Sequence, residues 1–489
     1  FIYTIGEQGA LRGLRARSFY LELMMEHIVD ELLEKLSLSR ANLIYTGGGH
    51  CYMLVPNTAR AKTVIDASEK ELNQWMMKHF GMALYVAGGY VEASANNFRN
   101  LPEGSYSELY LEVSRKISLK KNHRYNADEI HWLNSRTHDG ERECKVCRQI
   151  AHLKEDKCPT CNALEKMSGN ILYKNFFSVL CEPEENALPL PWGRYLVADA
   201  DETALKKRME KDAYVRSYTK NNIYTGKHVS TKLWVGDHTT GDTFEAFAEK
   251  AEGVKRIAIL RADVDNLGNT FVRGFEQANG NTKYVTLSRT ATLSRQLSLF
   301  FKCYINHILD HGTDTAFGKN GQRNVTIVYS GGDDVFLAGS WNEVIAAFME
   351  LKAALERFTL GTLTISGGIG VYHAKYPLNI MAKEVEVLED ASKHVQGKNA
   401  ITIFDETHSY PWKEFLTKVV DEKFCSVRDY FDATTDHGMA FLYHLTELLR
   451  NTGEKINIAR YVYLLSRMEP DEKADPSVRE WYRAFSRNM

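Results

Sequence analysis

Apolar residues recur along this chain in two rhythms, and one succession of rhythms occurs twice. Residues 42–55 read Asn-Leu-Ile-Tyr-Thr-Gly-Gly-Gly-His-Cys-Tyr-Met-Leu-Val, and residues 326–339 read Thr-Ile-Val-Tyr-Ser-Gly-Gly-Asp-Asp-Val-Phe-Leu-Ala-Gly. Two apolar runs around a glycine pair predict a β-hairpin. Upstream of each lies an apolar stripe at helical spacing, Leu21, Met25, Ile28, Leu32 and Leu36 in one case and Leu293, Leu297, Phe300, Tyr304 and Ile308 in the other. A short strand is expected before each helix, at 1–5 and 257–260. A second helix and then a strand ending in Gly-Gly are expected after each hairpin, at 84–89 and 363–368. Strand, helix, hairpin, helix, strand is the βαββαβ order of a ferredoxin-like domain. The two glycine pairs lie 41 residues apart in the first copy and 36 in the second, so what repeats is a topology and not one hairpin.

Farther on, Phe441, Leu442, Leu445, Leu448 and Leu449 form one helical stripe, and Ile458, Val462 and Leu465 another, both expected to face a core. The expected class is therefore α+β: a first ferredoxin-like domain at 1–120, a linker domain at 121–252, a second ferredoxin-like domain at 253–405 and a helical domain at 406–489. The length of 489 residues suits three or four domains at roughly 150 residues each. A formal net charge of −2 leaves no global basic field for wrapping nucleic acid, so such contacts must come from local patches. No apolar run approaches the roughly 18 residues of a membrane-spanning helix. The eight cysteines are few for this length and suggest a reducing, cytoplasmic setting. The first residue is not Met, and the chain reads as a piece of something longer.

Only the second hairpin carries acids at its turn. Asp333 and Asp334 stand where the first copy has Gly49 and His50, and the strand before the second helix runs into Asp263, Val264, Asp265 and Asn266. In the βαββαβ order that strand neighbours the hairpin, so Asp263 is expected near Asp334. Carboxylates so close repel unless a cation neutralises them, and Mg2+ or Mn2+ takes such oxygen ligands together with substrate phosphates. Gly331 and Gly332 would let a nucleotide approach the backbone, a combination suited to in-line nucleotidyl transfer. The plainer reading is a turn made of four turn-forming residues. Asp265 lies on the strand face of Asp263 or serves only to hydrogen-bond a nearby turn. Lys393 and Lys398 flank a glycine after a helix, either to hold a triphosphate or as a solvated helix end.

Cys144, Cys147, Cys158 and Cys161 form two Cys-x2-Cys knuckles in one loop, the spacing of a closed structural Zn2+ site. Cys51, Cys181, Cys303 and Cys425 are expected to be buried and inert. Residues 113–127 hold five basic residues and no acid, either a contact for RNA or a partner subunit or simply a solvated surface. His138 and Asp139 sit in a loop without further His ligands and are not expected to be catalytic.

The paired palms, the Gly331-Gly332-Asp333-Asp334 turn, the Ala262-to-Gly268 strand end and the four cysteines together resemble the large subunit of type III CRISPR effector complexes. Residues 10–20, Ala-Leu-Arg-Gly-Leu-Arg-Ala-Arg-Ser-Phe-Tyr, look like subtype III-A, the Csm complexes. The resemblance implies two nucleotide-cyclase-like palms, the second converting ATP into cyclic oligoadenylate messengers once a guide RNA has paired with a foreign transcript. It implies that Asp263, Asp334 and the Val264 carbonyl hold the metals, with Asp333 beside them. Gly47, Gly48, Gly49 and His50 would form a degenerate half of a composite pocket, and Ser330, Asn266, Ser366 and Gly367 would touch nucleotide. The implied partners are a guide-handle-binding subunit, a small subunit, guide crRNA and target RNA, with no membrane. Full-length members also carry an N-terminal histidine–aspartate domain that degrades single-stranded DNA, and this chain is expected to begin after it. Related Gly-Gly-Asp-Glu-Phe cyclases differ in having two residues between the phosphate-binding Lys and the Gly where this chain has His394, Val395 and Gln396, and Glu at the Asp334 position. Two other readings are a stand-alone dinucleotide cyclase and a non-catalytic RNA-binding scaffold.

Overall fold

The computed structural model describes residues 1–3, 9–135, 141–277, 279–433, 440–450 and 454–488. Its largest sheet has six strands in the order Val325–Ser330, Asp334–Ser340, Ile257–Val264, Ile365–Tyr372, Ala400–Ile403 and Ser409–Pro411. Among the first four, the strand earliest in sequence, Ile257–Val264, lies in the middle, antiparallel to both neighbours. Its near-continuous apolar run is explained by burial on both faces. Ala258, Leu260, Ala262 and Val264 pack against helix Trp341–Phe358 and the helical stretch 287–310, whereas Ile257 and Ile259 meet helix Leu378–His394. The stretch 287–310 continues through a π-helical segment at Phe300–Tyr304, which accommodates one extra residue per turn.

The first repeat is built differently from expectation. Its hairpin, Leu43–Gly47 with His50–Met53, is a separate two-stranded sheet. The strand expected at 84–89 is absent, because side chains of helix Ala59–Phe80 take the place of a ladder. Asn73 both donates to the Val86 carbonyl and accepts from the Val86 N–H, and Glu69 accepts from the Gly88 N–H. Residues 1–3 form no strand, and the rest of the strand expected at 1–5 lies outside the described residues, as do His138 and Asp139. The intervening region contains a five-stranded sheet that the apolar pattern does not announce: Leu188–Leu190, Arg194–Asp199, Phe176–Leu180, Tyr214–Lys220 and Thr231–Leu233. Helix Ala10–Lys35 shares one core with it, through Phe19, Tyr20, Leu23 and Ile28 against Leu196 and Tyr218.

At the C-terminal end, Tyr430, Leu445, Met468, Tyr482 and Phe485 form a small core. The stripe expected inside at Ile458 and Val462 points outward, both residues being more than half exposed. No helix among the described residues is long and apolar enough to cross a membrane.

Candidate active site at two facing glycine turns

The central ladder sets the acids in place. Asp263 pairs across the sheet with Asp334 on one side and Ser366 on the other. The Val264 N–H donates to the Asp333 carbonyl (3.1 Å), and the Gly331 N–H to the Asp334 carbonyl (2.8 Å). These bonds clamp the turn against the strand end. A Cβ on Gly331 would run into the Asp334 carboxylate and force it to shift.

Burial pushes the Asp334 carboxyl up to about 7, helped by the charges of Asp333 and Asp263. Asp333 is raised as well, by burial and then Asp263, with His50 and Lys393 pulling the other way. Asp334 Oδ1 is buried and has no hydrogen-bond partner. Helix Leu378–His394 supplies the countercharge. Lys393 Nζ bridges Asp263 (2.8 Å) and Glu389 (2.6 Å). Burial alone would lower this ammonium, but its bonds to the two carboxylates raise it. Lys398 donates to Asn266 Oδ1 (2.8 Å). Asp265, by contrast, is buried and accepts from the Thr364 hydroxyl (2.7 Å) and the Asn399 N–H (3.0 Å), so it ties adjoining turns together.

The first hairpin's turn comes up against the second. A methyl group on Gly48 would lie 3.5 Å from Asp333 Oδ1 and 4.0 Å from Asp334 Oδ1, and one on Gly47 would lie 3.4 Å from the Gly332 nitrogen. Gly48 and Gly49 both have positive φ, a backbone conformation that glycine adopts without steric cost. The exposed His50 donates from Nδ1 to the Gly48 carbonyl (2.9 Å). Between the turns sits the Tyr45 phenol, its oxygen 2.5 Å and 2.9 Å from where a Cβ on Gly332 or Gly47 would stand. Burial, then Asp333 and Asp334, raises the Tyr45 phenol's pKa.

Three residues picked as nucleotide contacts turn inward. The Ser330 hydroxyl donates to the Phe301 carbonyl. Ser366 is fully buried and accepts from the Ala400 N–H (3.3 Å). A Cβ on Gly367 would stand 2.7 Å from both Ala262 and Phe348. Tyr45 and Glu389 belong to the site but escaped the sequence reading, although signals existed. The repeat aligns Tyr45 with Tyr329, and Glu389 stands four residues before Lys393 on a helix.

The four cysteines also converge, with sulfurs all within 4.8 Å of one another and none in a disulfide. Cys158 caps helix Pro159–Tyr173, its sulfur accepting from the Cys161 N–H (3.4 Å), and the Cys158 N–H donates to Cys144 Sγ (3.3 Å). Tetrahedral zinc–thiolate bonds of about 2.3 Å place sulfurs about 3.8 Å apart. Cys147 and Cys158 sulfurs lie at 3.6 Å, so this set can hold a metal ion. Cys181 is exposed, which corrects the expectation for it, whereas Cys51, Cys303 and Cys425 are partly buried, and burial pushes the Cys51 thiol up to about 11 and raises Cys425. In the basic stretch, Lys116 pairs with Glu112 and Lys120 with Glu69.

The chain is 43% identical, over 96% of its length, to the CRISPR system single-strand-specific deoxyribonuclease Cas10/Csm1 (subtype III-A) of Mycobacterium tuberculosis, of which it covers 60%. It belongs to the Cas10/Csm1 family. Family models match in three places: Csm1 subunit domain B at 1–136, the second palm domain of Cas10/Cmr2 at 256–402, and the second helical domain of the Cmr2 subunit of the CRISPR RNA silencing complex at 428–489. The chain spans about three fifths of the length of the curated Cas10/Csm1 relatives it matches. Its fold is shared with crystal structures of the Csm1–Csm4 cassette. The cassette in complex with cA4 aligns with TM-score 0.71 at 22% identity over 98% of this chain and 66% of that one. The cassette with one ATP aligns with TM-score 0.70 at the same identity and coverage.

Proposed function

We propose that this chain is the cyclic-oligoadenylate-synthesising part of a type III-A effector large subunit, with a ferredoxin-like second palm as its catalytic domain. The observation that carries the reading is the convergence of Asp263, Asp333 and Asp334 against a second, acid-free glycine turn. Crystal structures of related Csm1–Csm4 cassettes with ATP, cA3 and cA4 support the substrate and product class.

The buried, unpartnered Asp334 oxygen and the raised carboxyls fit a hard divalent cation. Asp263, Asp334 and the Val264 carbonyl would hold Mg2+ or Mn2+. Bound there, the ions neutralise the acids and the charge that builds on the reacting phosphate. Lys393 and Lys398 bind triphosphate oxygens, with Lys393 leaving its bridge to Asp263. The 3′-hydroxyl oxygen of one ATP attacks the α-phosphorus of another. The bond to pyrophosphate breaks, the hydroxyl proton leaves, and a final intramolecular attack closes the ring. The Gly47-to-His50 turn faces these acids without adding negative charge, so it can seat the second nucleotide where a second set of carboxylates would repel it. The four cysteines hold structural Zn2+. The partners are a Csm4-type guide-handle-binding subunit, a small subunit, crRNA and target RNA.

The test supplies α-labelled ATP and Mg2+ or Mn2+ to the chain, alone and assembled with partner subunits and target RNA, and resolves products by chromatography. Cyclic oligoadenylates that vanish with Asp333→Ala plus Asp334→Ala support the assignment. Absence of product in the assembled, RNA-bound complex would leave a scaffold role.

A further inference from the structure

Arg17, on helix Ala10–Lys35, is only 3% exposed. A buried guanidinium is normally paired with a carboxylate, as Arg323 is with Glu350 and Glu343. Among the described residues Arg17 enters no ion pair. Its Nη2 donates instead to Cys161 Sγ (3.2 Å), and its Nη1 is buried without any hydrogen-bond partner. The guanidinium carbon stands 4.9 Å from the Phe1 ring centroid, a weakly polar neighbour. A neutral thiol would be a poor sole acceptor for a buried cation. Four thiolates around a divalent ion carry a net charge of −2, and that charge accounts for the arginine.

We propose that Arg17 is the charge partner of the four-cysteine metal centre, and that this contact couples metal occupancy to the seating of helix Ala10–Lys35. The inference rests on reading the cluster as a metal centre. Arg17 acts through Cys161, as a positioning residue in the outer shell. Loss of the ion would strand a cation in an apolar interface, so the helix should loosen when the metal leaves. Two positions away, Arg15 Nε donates to the Ile327 carbonyl (3.2 Å) in the strand that enters the acidic turn. The helix therefore touches both the cysteine centre and the strand that leads to the acidic turn.

The experiment measures zinc content by plasma mass spectrometry and zinc release to the chromogenic chelator 4-(2-pyridylazo)resorcinol. Wild type is compared with Arg17→Met, which keeps length without charge, and Arg17→Lys, which keeps charge. Hydrogen exchange of residues 11–24 is recorded before and after chelation. Arg17→Met should bind zinc about 10–100-fold more weakly than wild type, the range for outer-shell partners, and so release it faster to the chelator, and Arg17→Lys should stay close to wild type. Chelation should strip protection from the wild-type helix. Equal release from Arg17→Met and wild type would overturn the assignment, and so would helix protection unmoved by chelation. A wild-type chain without zinc after metal-replete expression removes the metal centre itself, a failure distinct from that of Arg17. Should Arg17→Met not fold, Arg17→Gln is carried through the same measurements against Arg17→Lys.

Discussion

Asp334→Asn should make the metal-free protein more stable at pH 8 while abolishing nucleotide synthesis. The folded chain holds the Asp334 carboxyl at about 7 against an ordinary 3.8, mainly by burial and then by Asp333 and Asp263. Below pH 4 the group is protonated whether folded or not, and the fold bears no penalty. Between pH 4 and 7 the unfolded chain gives up the proton first, so the folded state binds more protons and stability falls as pH rises. Above pH 7 the loss is complete, at most about 4 kcal/mol at 1.36 kcal/mol per pH unit. Asparagine keeps the shape and removes the charge. The assay is hydrogen exchange of the amides of Ile257–Val264 and Asp334–Ser340 in chelator, corrected for intrinsic rates, at pH 8 and pH 4. The variant should open about 2–4 kcal/mol less readily at pH 8, and the difference should shrink below about 1 kcal/mol at pH 4. Mg2+ should restore the wild type and leave the variant unchanged. A variant no more stable than wild type at pH 8, or a difference that persists at pH 4, would refute the claim that these acids are held together at a cost to the fold.

Lys393→Met removes the bridge between Asp263 and Glu389 and should cut cyclic product about tenfold or more, the equivalent of 1.4 kcal/mol of transition-state stabilisation or greater, measured with labelled ATP. Gly332→Ala drives a methyl against the Tyr45 oxygen and should destabilise by about 1–3 kcal/mol. Tyr45→Phe in the same chain should recover most of that loss, and additive effects in the double-mutant cycle would count against the facing-turn geometry. His27 is held down to about 3 by burial and then by Arg216, so it stays neutral in the fold while the unfolded chain protonates it below pH 6.5. Stability should therefore drop from pH 7 to pH 5, with His27→Gln flattening that slope in urea titrations.

The acidic turn, its partner strand and the cysteine spacing could be read from the chain because each is a local pattern whose chemistry follows from residue type. The duplicated hairpin was legible for the same reason. The fate of 84–89 was not, because a strand forms only when another edge accepts it, and here Asn73 and Glu69 on a neighbouring helix satisfy the backbone first. The outward face of Ile458 and Val462 was likewise set by what the helix found to pack against. Nor could the sequence choose between the two roles open to Asp265. Thr364 and Asn399, 99 and 134 residues away along the chain, capture one of its oxygens and tie it to the adjoining turns. Sequence alone determined which residues could bear charge, bind metal or turn tightly. Tertiary structure decided which of them met, because the fields that raise Asp334 and hold Lys393 exist only once burial has removed water from between groups distant in the chain.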